Sequence, residues 1–200
     1  MKLLLFSDLH RSVHAAERLL EMSREADVIV GAGDFAIKRE GLPDTIDVLC
    51  QADCPAVVVP GNGESVEELR EACLGWGKVH VLHGSSAQID GVNFFGIGGG
   101  IPVTPFGPWS YDFTEEQAEE MIRDMPDSGV MVTHSPPWQC VDVDGSGEHR
   151  GSRKIREAIE ARGLALVVCG HVHDSWEQKA MLGETPVINA GPRGMWFELA

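Results

Sequence analysis

Short, continuously apolar runs recur along the chain, and each ends in a polar or glycine-rich turn. Leu3-Leu4-Leu5-Phe6, Val28-Ile29-Val30, Ala56-Val57-Val58-Val59, Gly129-Val130-Met131-Val132-Thr133 and Leu164 to Cys169 read as strands buried on both faces. The first three are followed by segments with helical spacing. Residues 13–25 place Val13, Ala16, Leu19 and Leu20 on one face behind a Ser12 cap. Residues 42–52 carry Pro43 in the first turn, and 65–74 close the first half. Strand, loop and helix in repeated succession predict a largely parallel sheet with sites at the carboxyl ends of its strands.

The second half is more varied. Residues 79–82, 87–89 and 93–97 predict short strands, with a turn at Asp90-Gly91. Gly98 to Tyr111 has no periodicity, and Ser135 to His149 is a second long loop; loops of this length in compact domains are usually functional. Helices are expected at 114–124 and 152–161, and strand-like pieces at 175–181, 186–188 and 195–199 predict an antiparallel finish. No linker, low-complexity tract or repeat breaks the chain, so residues 1–200 are expected to form one domain. The class is α/β, with two mixed β-sheets packed face to face and flanked by helices.

Composition narrows the function. Asp and Glu outnumber Lys and Arg by 31 to 16, a net charge of -15, which argues against an extended nucleic-acid groove. A hydrophobic fraction of 43% suffices for a core. Cysteines number five, four of them in or beside apolar runs, which predicts a reducing cytoplasm. The opening apolar run is stopped by Asp8, and no run approaches transmembrane length, so no membrane partner is expected. Oligomeric state leaves no trace in the sequence.

The chemistry lies at the ends of the strands. Asp8, His10, Asp34, Asn62, His134, His171 and His173 each stand directly after a predicted strand. Two carboxylates, one amide oxygen and four imidazoles suit divalent ions of intermediate softness: Mn, Fe, Co, Ni or Zn. The absence of Cys from the set argues against a closed structural zinc site. Seven ligands are too many for one ion and suit two, with Asp34 bridging.

These residues fall in five ordered blocks, Asp8-Leu9-His10, Gly33-Asp34, Gly61-Asn62-Gly63-Glu64, Thr133-His134 and Gly170-His171-Val172-His173. Together they resemble the calcineurin-like metallophosphoesterase family across the whole chain. Thr133-His134-Ser135-Pro136-Pro137 and the ending Asn189-Ala190-Gly191 resemble the small class III phosphodiesterase-like and metallophosphoesterase-domain members. The resemblance implies a four-layer αββα sandwich and two divalent metal ions, manganese foremost. Asp8, His10, Asp34 and His173 would hold one ion, and Asp34, Asn62, His134 and His171 the other. It also implies hydrolysis of a small phosphate ester, such as a phosphodiester or nucleotide, by a metal-bridging hydroxide. Two such ions would leave a locally positive site that attracts phosphate to an acidic protein.

The chain departs from the family at Gly63, where the pattern commonly has a His that assists the leaving group. A missing general acid costs about 10²–10⁴-fold, least for stable leaving groups, so phosphodiesters and activated esters are favoured. Related small phosphodiesterases also lack that His. Gly63 is a candidate opening for substrate, and His149, beside Arg150 ahead of a helix start, is the candidate substitute. Asn62 and His149 are thus the candidate catalytic residues, with Arg11, Gly63, His149 and Arg150 as candidate substrate contacts. Phe106 and Trp109 are candidates for an aromatic wall, whereas His14, His80 and His83 read as ordinary surface or strand histidines. Two rival readings are a nucleotide-binding member with little turnover and a protein-interaction scaffold.

Overall fold

The computed structural model describes all residues, 1–200. Strands β1 (Lys2–Phe6), β2 (Val28–Gly31), β3 (Ala56–Val58) and β4 (Val79–Val81) pair in parallel. The last strand, β11 (Met195–Glu198), pairs antiparallel with β1. A second sheet has the order β5-β6-β7-β8-β10-β9, formed by Ser85–Ile89, Val92–Ile97, Val130–Thr133, Leu166–Cys169, Thr185–Asn189 and Lys179–Leu182 respectively. Its centre is parallel and both outer pairs are antiparallel. Helices α1 (Val13–Ser23), α2 (Leu42–Leu49) and α3 (Val66–Ala72) cover the first sheet; α4 (Glu115–Ile122) and α5 (Arg153–Glu160) cover the second.

The strands are apolar on both faces because each face meets a different core. On β1, Leu4 and Phe6 pack with α1–α3 residues such as Leu19, Ile46 and Leu69, while Leu3 and Leu5 pack between the sheets. On β8, Leu166 and Val168 face the first sheet, while Val167 and Cys169 pack with Ile155 and Ile122. The result is the expected helix–sheet–sheet–helix sandwich.

Local chemistry sets the element starts. Ser12, Ser65, Thr114 and Ser152 each accept an N–H at a helix N-terminus, and Glu68 and Gln117 complete reciprocal capping boxes. Asp90 and Gly91 both have positive φ, as a two-residue hairpin turn requires.

The tail differs from expectation. Residues 173–175 form a single 3₁₀ turn, and the strand predicted from Ser175 begins only at Lys179. The intervening side chains are engaged elsewhere: Ser175 donates to the Val143 carbonyl and Trp176 to Asp8. The finish is also not wholly antiparallel, since β10 joins β8 in parallel. No helix is long and apolar enough to cross a membrane.

Candidate metal centre

The loops following β1, β2, β3, β7 and β8 meet where the two sheets' carboxyl ends converge. Asp8, His10 and His173 each present a ligand atom within 4.8 Å of the others, and so do Asp8, Asp34 and His134. Asp34 lies between two imidazoles, with Oδ2 3.6 Å from His10 Nε2 and Oδ1 3.4 Å from His134 Nε2. Asn62 Oδ1 is 3.2 Å from His134 Nε2, and the His171 ring stands 4.9 Å from that of His134. His173 Nε2 lies 3.0 Å from His10 Nε2 and 3.7 Å from Asp8. All seven residues expected at the site are therefore brought together.

The two histidines of the Gly170–His173 turn do not point the same way. An extended turn would align them, but His171 has φ +67° and His173 opens the 3₁₀ turn. His171 consequently faces His134 while His173 faces His10. Asp8, His10 and Asp34 also have positive φ, which ordinary side chains adopt at a cost of about 1–3 kcal/mol when the surroundings over-determine it. Glycine makes the approach feasible: a Cβ on Gly61 would collide with Asp34, and one on Gly33 would lie 2.7 Å from the His134 ring.

Supporting contacts orient the donor atoms. His134 Nδ1–H donates to the Ala32 carbonyl at 2.8 Å and His10 Nδ1–H to Ala36 at 3.4 Å, so each Nε2 faces the centre with its lone pair. Asn62 Nδ2 donates to Ser110, which donates to Asp112, and this turns the amide oxygen inward. Asp8 accepts from Ser7 Oγ, the His171 backbone N–H and Trp176 Nε1. Glu64, fully buried, accepts from the N–H groups of Gly61, Ala36 and Phe35 at 2.7, 3.0 and 3.3 Å. It thereby fastens the Asp34 loop to the Asn62 loop.

The donor set fits divalent cations. Burial raises the carboxyls of Asp8 and Asp34 to about 7, with the Asp34 charge adding to the shift at Asp8. Burial likewise lowers the imidazoles of His134 and His171 to about 3 and His173 to about 4. Glu64 is raised to about 8 by burial and then by Asp34. Protonated imidazoles are thus disfavoured, and ionised carboxylates lack positive partners. His134 Nε2, left with a lone pair by its Nδ1–H bond to Ala32, lies 3.2 Å from Asn62 Oδ1 and 3.4 Å from Asp34 Oδ1, so acceptors face one another where a cation would satisfy them.

A cleft of about 590 Å³ opens above the cluster. Its floor includes His10, Asp34, Asn62, His171 and His173. Phe106 and Trp109 stack on each other at the rim of one wall, 5.8 Å between ring centroids, and Trp138, His149 and Arg150 lie in the cleft lining as well.

Two expected substrate contacts are elsewhere. Arg11 pairs with Asp44 at 2.9 Å, drawn to the acidic first turn of α2 beside Gly41. Gly63 is buried, and a Cβ there would sit 3.0 Å from the Ala36 carbonyl oxygen, so it opens no space for substrate. The helix start after Arg150 is also unavailable to phosphate: Glu115 accepts there from Ser152 Oγ and the N–H groups of Arg153 and Lys154. His83 is half-buried against Tyr111 and Phe113, not an ordinary surface histidine. Sequence reasoning missed Ser7, Trp176 and Asp142 as partners of site residues. Ser7 and Trp176 adjoin ligand blocks, but only the fold shows which group they touch.

A layered αββα sandwich with nitrogen and oxygen donors gathered at its strand ends defines a metallophosphoesterase architecture. The sequence matches calcineurin-like phosphoesterase over residues 1–175, and the chain belongs to that family. No curated protein sequence matches it. Among solved structures it is similar to TT1561 of Thermus thermophilus, with 18% identity, TM-score 0.76, and 96% of this chain and 90% of that one covered. It is also similar to a dimetal phosphatase from Danio rerio, with 12% identity, TM-score 0.65 and coverage of 96% and 88%. A third likeness is to phosphopantetheinyl hydrolase from Mycobacterium tuberculosis, with 13% identity, TM-score 0.61 and coverage of 96% and 90%. These likenesses show the fold.

Proposed function

We propose that this protein hydrolyses small phosphodiesters or activated phosphate esters with two divalent metal ions. The observation that carries the reading is Asp34, whose two oxygens face His10 on one side and His134 on the other. Asp8, His10 and His173 would complete one ion's ligands, and Asn62, His134 and His171 the other's, with Asp34 shared. When bound, the ions would polarise a phosphoryl oxygen and bring the pKa of a water molecule toward neutrality.

The chain's own residues do the rest. The carbonyls of Ala32 and Ala36 hold two imidazoles in the ligating tautomer. Buried Asp8 and Asp34 carry the negative charge that would retain the cations. The stacked Phe106–Trp109 wall favours a substrate with a flat apolar part, such as a nucleoside. Nitrogen and oxygen donors without sulfur accept manganese, iron, cobalt, nickel or zinc, and manganese is the ion to try first. The dimetal phosphatase among the structural neighbours is named for the same kind of chemistry. The cysteines form no disulfides, which suits a reducing compartment such as the cytoplasm.

The test is metal analysis of the purified protein with hydrolysis of bis-p-nitrophenyl phosphate and a panel of cyclic nucleotides. About two equivalents of metal per chain, Mn²⁺-stimulated turnover and its loss on chelation are expected. A protein that takes up two ions and turns over nothing would be a binding member. One that takes up none would be a scaffold, and either result overturns the proposal.

A further inference from the structure

Four imidazoles line the cleft, and three of them, His10, His171 and His173, belong to the ligand cluster. His149 does not. Its Nδ1 lies 2.6 Å from Asp142 Oδ1, and its ring stands 5.3 Å from Trp138. Asp142 has no solvent exposure, and its other oxygen accepts from the N–H groups of Gln139 and Gly151, each at 3.0 Å. The carboxylate is therefore held from three directions. The chain wraps round it with Gln139 at φ +58° and Val141 at φ +51°, the latter a conformation that a β-branched residue rarely adopts. Asn189 Nδ2 lies within hydrogen-bond reach of the carbonyls of Val141, Gly170 and Val172, and so ties this loop to the turn bearing His171 and His173.

The other polar groups in the cleft are already engaged. Arg150 Nε donates to Asp144 at 2.6 Å, and a guanidinium does not release a proton at neutral pH. Asp144 is held well below the usual carboxylate range, first by the Ser146 hydroxyl and then by Arg150. Asp174 accepts from the Gly145 N–H. Gly63 has no side chain and is buried. One group remains that is outside the ligand cluster, faces the cleft and has an oriented ring.

We propose that His149, fixed by buried Asp142, is the general acid that protonates the leaving oxygen of the phosphate ester. This rests on the phosphoesterase reading given above. Water adds its oxygen to phosphorus and gives up a proton to solvent, the bond from phosphorus to the leaving oxygen breaks, and that oxygen keeps the electron pair. The leaving oxygen takes the proton from His149 Nε2. Nδ1–H stays on Asp142, so the product is a neutral ring in a single tautomer, and solvent returns the proton. Asp142 is a positioning residue, in the manner of carboxylates that orient catalytic imidazoles.

The experiment compares bis-p-nitrophenyl phosphate with diphenyl phosphate, whose phenolate leaves less readily, in the metal-loaded wild type and His149→Gln. Glutamine retains a polar contact for Asp142. Turnover of diphenyl phosphate should fall about 10²-fold or more, and by at least about tenfold more than that of the nitrophenyl ester, with metal content unaltered. An equal loss on both esters, or a loss on neither, overturns the assignment. A readout independent of turnover is the ¹⁵N spectrum of the His149 ring in metal-free protein. The neutral ring should carry its proton on Nδ1, and a proton on Nε2 refutes the orienting role of Asp142. If the wild type shows no chelator-sensitive hydrolysis of either ester, the phosphoesterase reading fails and the acid assignment with it. If the wild type cleaves both while the variant keeps the wild-type ratio, the acid assignment alone fails.

Discussion

Glu64 offers the sharpest test of how the centre is built. Its carboxylate touches no substrate and is no ligand, yet it receives three backbone N–H groups from the two loops that deliver Asp34 and Asn62. Replacing it with alanine strands these donors in a region with no solvent exposure. Each stranded buried donor costs roughly 1–3 kcal/mol, and water entering the vacated space would offset part of this. Glu64→Ala should therefore destabilise the metal-free protein by about 3–6 kcal/mol, a large share of a typical domain's stability. Loosened ligand loops should also weaken metal binding by about 10–100-fold, the usual effect of removing an outer partner. The assay is urea unfolding of metal-free protein, with metal affinity measured by chelator competition. Glu68→Ala is the comparison: Glu68, in the first turn of α3, is half-exposed, pairs with Arg39 and caps Ser65, and its loss should cost about 1 kcal/mol or less. If Glu64→Ala costs no more than Glu68→Ala and metal affinity is unchanged, the stapling role is wrong.

Two further outcomes rest on the same geometry. Trp176→Phe keeps a ring beside His173 but removes the Nε1–H that Asp8 accepts at 3.1 Å, so metal affinity should fall about tenfold with little change in unfolding midpoint. Unaltered affinity would show that Ser7 and the His171 N–H suffice to orient Asp8. His83 accepts the Gly98 N–H and is lowered by burial from 6.5 to about 4. The unfolded chain protonates first as pH falls, so this stabilising contribution is complete above about pH 6.5 and drains between there and about pH 4. Urea midpoints at about pH 7 and about pH 4.5 should converge in His83→Gln relative to wild type, and equal pH sensitivity of the two proteins would contradict the assignment.

Much of this molecule is legible without coordinates because its information is local. Continuous apolar strands, serine and threonine caps and an Asp-Gly hairpin turn are properties of neighbouring residues. The seven strand-end donors are legible as well, because a parallel sheet delivers the residue after every strand to the same edge. What the sequence could not indicate is which way a side chain turns once it arrives there. Arg11 stands next to a ligand pair yet is claimed by Asp44, since a nearby carboxylate at a helix start competes for the guanidinium. Gly63 looked like an opening and is a tight fit, because the Ala36 carbonyl fills the space beside it. The α5 N-terminus beside Arg150 is closed to phosphate, because a side chain from α4, Glu115, already occupies it.

The sequence by itself determined the layered architecture, the family and the donor set, since all of these rest on patterns repeated at fixed positions along the chain. Only the tertiary structure decided the partners: Asp34 between two imidazoles, Glu64 across two loops, Asp142 behind His149. Each joins segments that are separated in the chain or turned by an irregular loop. No local periodicity encodes such contacts, because their energy comes from burial and hydrogen bonding that exist only once the sheets have packed.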